Sequence, residues 1–131
     1  MKLAGILNQP LSAAIAGLGH TDTLVIADAG LPIPPETERI DLALTRGLPS
    51  FLDVLRAVVG EMRVEEAIVA EELERTNPAL VQAIRTLLGD VPVQAVPHAV
   101  FKELTRSARA VVRTGECTRY ANVILRAGAI F

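Results

Sequence analysis

Apolar and polar positions change period several times along this chain, and each change marks an element. Residues 8–18, NQPLSAAIAGL, carry apolar residues at helical spacing. Asn8 or Gln9 precedes them, Pro10 suits a first helical turn, and Gly19 can take the left-handed conformation that ends a helix. TLVIAD, 23–28, is a short unbroken apolar run and predicts a buried strand. GLPIPPETE, rich in proline, predicts a loop, and RIDLAL, 39–44, alternates as a short strand. LPSFLDVLRAVVGEM, 48–62, is amphipathic at helical period and stops near Gly60.

VEEAIVAEEL is ambivalent, because AIVA favours a strand while Glu and Ala favour a helix. Its place between two helical patterns predicts a strand over 65–71. The next helix starts at Asn77-Pro78, a capping residue followed by a proline at the first helical position, and runs to about Leu88. VPVQAV predicts a strand, PHAVFKELTRSA a helix, and ARAVVRTGE and YANVILRAG two closing strands. Strands alternating with helices predict one α/β domain over 1–131, with a mostly parallel central sheet flanked by helices. Ligands of such sheets bind at the carboxyl ends of strands, where Asp28 lies.

Composition changes this picture in three ways. Half of the 131 residues are hydrophobic but only 3% are aromatic, so the core is aliphatic. With a mean hydropathy of +0.38 and no apolar run near the roughly 20 residues of a bilayer span, the surplus apolar surface predicts a homo-oligomer and not a membrane protein. Thirteen basic and fifteen acidic residues, without a basic block, argue against nucleic acid as a partner. A single cysteine, Cys117, excludes an internal disulfide and a multi-cysteine metal site, and the N-terminus lacks a signal-peptide pattern, which predicts a cytoplasmic protein.

Chemistry is left to few residues. His20 follows the predicted helix end, whose negative pole favours a protonated ring able to act as an acid. His98 begins a helix, where the positive pole favours a neutral, hydrogen-bonding ring. A structural cap explains His20 equally simply, and a surface helix start explains His98. Asp28 closes an apolar run and needs a partner, either backbone N–H groups of the ADAGLP turn or a ligand. Asp22 and Asp41 read as solvated or turn residues. In RTGECTRYAN, Tyr120 and Asn122 open the last predicted strand, where alternation puts both on one face and suits stacking and hydrogen bonding to a sugar. A subunit contact would explain them as well, and Arg113 and Glu116 suit an ion pair as readily as a substrate. GLGHTD follows a helix and is no dinucleotide fingerprint, no Walker loop is present, two histidines lack metal-ligand spacing, and nothing local activates Cys117. The residues alone leave open a cofactor-free acid–base enzyme and a binding module for a polar ligand.

GILN at 5–8, GLGHTD at 17–22, IADAGLP at 26–32, IDL at 40–42, and RTGE with YAN at 113–122 together resemble the ribose pyranase branch of the ribose pyranase/fucose mutarotase family. GHTD, ADAGLP and YAN follow that branch where the fucose branch tends to read GHGD, ADANFP and YGN. The resemblance implies a cofactor-free and metal-free isomerase that interconverts the pyranose and furanose forms of D-ribose. It implies His20 as proton donor, and Asp28, His98, Tyr120, Ala121 and Asn122 as sugar-binding residues. It also implies a ring-shaped homo-oligomer, commonly a decamer of two pentamers, with sites near subunit contacts. A mutarotase for fucose or another free sugar, and a non-catalytic sugar-binding or regulatory oligomer, are the alternatives.

Overall fold

The computed structural model describes residues 1–131. Its centre is a six-stranded sheet: β1 (Thr23–Ala27), β2 (Glu38–Asp41), β3 (Val64–Ala70), β4 (Val93–Val96), β5 (Ala110–Arg113) and β6 (Val123–Ala127), in the spatial order β2-β5-β1-β6-β3-β4. β1 and β2 each run parallel to β5, and β3 runs parallel to β4. β6 lies between β1 and β3 and is antiparallel to both, so the expected mostly parallel sheet is in fact mixed. The last strand returns directly from the carboxyl end of its neighbours, without the crossover helix a parallel strand needs.

The helices are α1 (Gln9–Ala16), α2 (Phe51–Val59), α3 (Glu71–Thr76), α4 (Pro78–Leu88) and α5 (His98–Leu104), the last followed by a 3₁₀ turn at Thr105–Ser107. Their caps follow the sequence. The side chains of Asn8, Ser50 and Asn77 accept from the backbone N–H of Leu11, Asp53 and Leu80. α1 ends earlier than expected, at Ala16 with Gly17 as its cap, and Gly19 is not in the left-handed region. The ambivalent VEEAIVAEEL is both things in turn, since β3 stops at Ala70 and α3 starts at Glu71. The expected strand over 39–44 ends at Asp41, whose carboxylate accepts from the Ala43 N–H and turns the chain.

Alternation along the strands builds two cores. Leu24, Ile26, Ala110, Val112, Val123 and Leu125 face α1–α4 in a cluster of 23 buried side chains. Val25, Ala27, Val111 and Ile124 face the other way, where only α5, through Phe101, joins the Leu31 loop and Ala108 over a cluster of seven. The sheet is thus thickly covered on one face and thinly on the other. Parity breaks once. Val64 shares a face with Ala67 and Val69, which strict alternation forbids. The cause is a bulge: Val64 pairs with Ala127 and Glu66 with Arg126, which leaves Glu65 as the extra residue. No helix is long and apolar enough to cross a membrane.

Candidate active site

At the carboxyl end of β1 the chain opens a cleft of about 560 Å³, lined by residues 28–32, His98 and residues 116–120. Asp28 lies at its floor. Gly30 N–H donates to Asp28 Oδ1 at 2.9 Å, and the Asn122 side-chain amide donates to Asp28 Oδ2 at 3.0 Å. Asn122 Oδ1 in turn accepts the Asp28 N–H at 2.8 Å. An ionised carboxylate has about four acceptor positions, so two fixed donors still leave room for ligand hydroxyls.

Beside Asp28 stand two rings. His98 meets Tyr120 edge-on at 5.1 Å between centroids and stacks on Phe101 at 6.2 Å. The His98 N–H, first of α5, donates to both oxygens of Glu72 at 3.0 and 3.2 Å, which fixes the helix start. His98 Nδ1 is buried and has no hydrogen-bond partner within the chain. A buried polar atom without a partner is rare. Glu72 sits below the ordinary carboxylate range. Its own N–H at the start of α3 lowers it most, burial opposes this, and the His98 N–H adds to the lowering.

The other wall is residues 116–120, and the RTGE segment that leads into it has a defined task for each residue. Arg113 donates to the Ala29 carbonyl and pairs with Asp41 at 3.2 Å. The Thr114 hydroxyl donates to the Ala27 carbonyl and accepts the Glu116 N–H. Gly115 lies so close to the 45–49 turn that a Cβ there would come within 2.6 Å of the Thr45 carbonyl oxygen. Glu116 takes the Phe51 N–H at 3.0 Å and the Thr118 hydroxyl at 2.7 Å, and its carbonyl accepts the Ala29 N–H. Partial burial would raise the Glu116 carboxyl, but the Phe51 N–H, the Thr118 hydroxyl and the Thr118 and Cys117 N–H groups hold it below the ordinary range. Arg113 and Glu116 therefore form no ion pair with each other, because each is committed elsewhere.

Of the residues expected from sequence, the fold brings Asp28, His98 and Tyr120 together in this cleft. Tyr120 does not open a strand in alternation with Asn122. It sits in a turn with φ +62°, and β6 begins only at Val123. Ala121 is buried in the larger core, and Asn122 is fully buried behind Asp28, outside the cleft lining. His20 lies elsewhere. It precedes β1 while Asp28 follows it, so the five strand residues at roughly 3.3 Å each put some 16 Å between the two ends.

His20 occupies a tight turn. Gly19 N–H donates to Asp22 Oδ2 at 2.8 Å, Asp22 N–H to the Gly19 carbonyl, and Thr21 N–H to the Ala127 carbonyl. Thr21 has φ +74°, which a β-branched residue rarely adopts. The Asp22 carboxyl is lowered, first by the Gly19 N–H and then by Arg109 against opposing burial. The ring of His20 meets no helix end, since α1 has ended four residues earlier and its field fades within a turn. Its Nε2 lies instead 2.9 Å from Glu65 Oε2. Neither Glu65 nor Glu72 was marked by the sequence reading. The broken parity of VEEAIVA was the available signal for Glu65, and none pointed to Glu72.

Comparison with known proteins matches this architecture. Residues 1–130 fit the model of the RbsD / FucU transport protein family. A D-ribose pyranase of Laribacter hongkongensis is 59% identical over 131 residues, covering all of both chains. The structure of Bacillus subtilis RbsD complexed with D-ribose superposes with a TM-score of 0.96 at 46% identity, again over both chains in full. The fucose mutarotase of Streptococcus pneumoniae, in complex with L-fucose, shares the fold at a TM-score of 0.83 but only 21% identity, over 95% of each chain.

Proposed function

This chain belongs to the RbsD / FucU family, and from that premise we infer that it is a cofactor-free isomerase interconverting the pyranose and furanose forms of D-ribose. The observation that carries the reading is the cleft itself, where a doubly held carboxylate stands beside an unsatisfied imidazole and a tyrosine ring. Full-length relatives named D-ribose pyranase at 50–59% identity favour ribose over fucose.

The reaction needs little from the protein. As the C1–O5 bond of the pyranose breaks, the anomeric hydroxyl gives its proton to water and O5 takes one from His20. Rotation of the open chain brings O4 to the aldehyde. As the C1–O4 bond forms, O4 returns its proton to His20 and the carbonyl oxygen recovers one from water. Proton transfer of this kind is worth about 100- to 10,000-fold. In this reading Asp28 accepts sugar hydroxyls, His98 donates to or accepts from another, and the Tyr120 ring covers a face of the sugar. Ala121 and Asn122 bind it indirectly, by shaping the turn under Tyr120 and Asp28.

His20 and its own chain's cleft are at opposite ends of β1, so the proton donor comes from a neighbouring copy in a homo-oligomer. Exposed Leu3, Leu7, Leu44, Leu48, Ile130 and Phe131 supply the apolar surface for such contacts. We take the assembly to be the ring-shaped decamer that the sequence resemblance implies, working in the cytoplasm, where a sugar kinase would consume the furanose.

Exchange NMR on equilibrated ribose tests the activity. Added protein speeds exchange between pyranose and furanose signals, and His20→Ala removes that effect. Exchange of fucose anomers with ribose unaffected would mark a fucose mutarotase, and binding without exchange a sugar-binding module. Mixing His20→Ala with Asp28→Ala tests the shared site: hetero-oligomers regain activity only if donor and cleft come from different copies.

A further inference from the structure

The Glu65 carboxylate contacts the ring of His20 because of an irregularity in the sheet. Along β3 the extra residue of the bulge is Glu65 itself, and a bulge re-aims the side chain it carries. The neighbouring backbone is cleared for that side chain. A Cβ on Gly128 would meet Arg63 Cγ and Glu65 Cβ, each at 3.2 Å, and Glu65 Oε2 at 3.6 Å. Gly128 N–H donates to the Arg63 carbonyl at 2.8 Å, which ties the two backbones at this point. From the other side, the turn at 19–22 is fixed to the same end of β6 through the Thr21 N–H and the Ala127 carbonyl. Three local features, the bulge, the glycine and the strained turn, thus converge on one 2.9 Å contact.

We propose that Glu65 is the positioning residue for His20: it holds Nε2–H and so makes Nδ1 the nitrogen that exchanges protons with the sugar. This deepens the isomerase reading above and rests on His20 being the donor. When Nδ1–H gives its proton to O5, the ring is left as the Nε2–H tautomer, already held by the carboxylate. The same Nδ1 then takes the proton from O4. A carboxylate behind a catalytic imidazole fixes its tautomer and orientation without itself reacting. The alternative for Glu65, a solvated charge on a strand end, would require neither the bulge nor the clearance at Gly128.

The test compares wild-type protein with Glu65→Ala, Glu65→Gln and His20→Ala, by ribose exchange at saturating and subsaturating sugar and by ¹⁵N shifts of the His20 ring above its titration range. Neutral His20 is expected as the Nε2–H tautomer in the wild type and as a tautomer mixture in Glu65→Ala. The kcat of Glu65→Ala falls about tenfold or more, within the roughly 100- to 10,000-fold worth of the general acid, while KM stays within about twofold because Asp28, His98 and Tyr120 are unchanged. Glu65→Gln, whose amide oxygen still accepts Nε2–H, restores the tautomer and part of kcat. An Nδ1–H tautomer in the wild type, or wild-type kcat in Glu65→Ala alongside an inactive His20→Ala, overturns the proposal and leaves the isomerase reading standing. Full activity in His20→Ala shows that His20 is not the donor and overturns the proposal as well, whereas ribose exchange left unchanged by the wild-type protein overturns the isomerase reading itself. Should Glu65→Ala not fold, the wild-type shifts and the Gln variant decide.

Discussion

Asn122 and Asp28 hold each other through two hydrogen bonds in opposite directions. The Asn122 carbonyl oxygen accepts the Asp28 N–H at 2.8 Å, and its NH₂ donates to Asp28 Oδ2 at 3.0 Å. One buried amide thereby fixes both the backbone and the side chain of the residue at the tip of β1. Only a group with a donor and an acceptor on one planar end can do this, which Asp and Leu at position 122 cannot.

Removing that grip separates positioning from chemistry. In Asn122→Ala the Asp28 N–H and Oδ2 lose their partner in a buried setting, at a cost of about 1–3 kcal/mol. Asp28 then wanders, and KM for ribose rises about tenfold while kcat changes less. Thermal denaturation and exchange NMR over a ribose titration measure the two effects. An unchanged KM would show that Asp28 is held by Gly30 alone.

Gly115, the residue before the cleft residue Glu116, packs against the 45–49 turn. Its N–H donates to the Pro49 carbonyl at 2.9 Å, and a Cβ would run into the Thr45 and Leu48 carbonyls. Both obstacles are backbone, so neither can swing aside. Gly115→Ala is expected to destabilise the protein by about 1–3 kcal/mol, as overpacking does. It also shifts Glu116 and Thr118 in the cleft and so weakens ribose binding. A variant with wild-type melting temperature and affinity would mean that the turn yields freely.

Sequence pattern revealed these parts unevenly. β1, α2 and α4 were legible because period, cap and breaker agree, as at Asn77-Pro78 and Gly60. Asp28 was legible because a carboxylate closing a buried strand demands partners. The antiparallel β6 was not, since a buried strand reads alike in either direction. The start of β6 was misplaced because Tyr120 has a positive φ that no rule assigns to tyrosine. The reason given for His20, a helix end, was replaced by a carboxylate 45 residues away, and the bulge that delivers it left only a broken alternation in VEEAIVA. Local rules reach local structure, whereas Glu65, Glu72 and the reciprocal grip of Asn122 on Asp28 are pairings across the sheet.

Thr21 carries the positive φ next to His20, and a β-branched residue there costs on the order of 1–3 kcal/mol. Thr21→Gly relieves that strain, but glycine also loses more chain entropy on folding. The two terms offset, so the melting temperature is expected to move by no more than the equivalent of about 1 kcal/mol. What changes is the rigidity of the turn: kcat falls several-fold while KM holds, because the cleft is untouched. Exchange NMR at saturating ribose measures this. A KM effect with unchanged kcat would place Thr21 against the sugar instead of behind His20.

Acid should weaken the fold through a defined set of carboxylates. Asp22, Asp41, Glu72 and Glu116 all sit below their ordinary values in the folded chain. For Asp41, burial pushes upward, but the Ala43 N–H and Arg113 outweigh it. A depressed folded value means that the unfolded chain binds more protons as acidity rises, so stability increases with pH through this window. The contribution is complete above the unfolded carboxylate range, near about pH 4 to 4.5, and is lost as pH falls through the folded values. Glu116 is the least exposed of the four to solvent competition, because the Phe51 N–H and the Thr118 hydroxyl occupy both of its oxygens. Glu116→Gln is therefore expected to melt below the wild type at pH 7, with the gap closing as pH falls from about 5 to 3. Melting curves across that range decide the matter: a gap that stays constant with pH would mean that Glu116 acts through shape and hydrogen bonding alone, and that its charge contributes nothing to the fold.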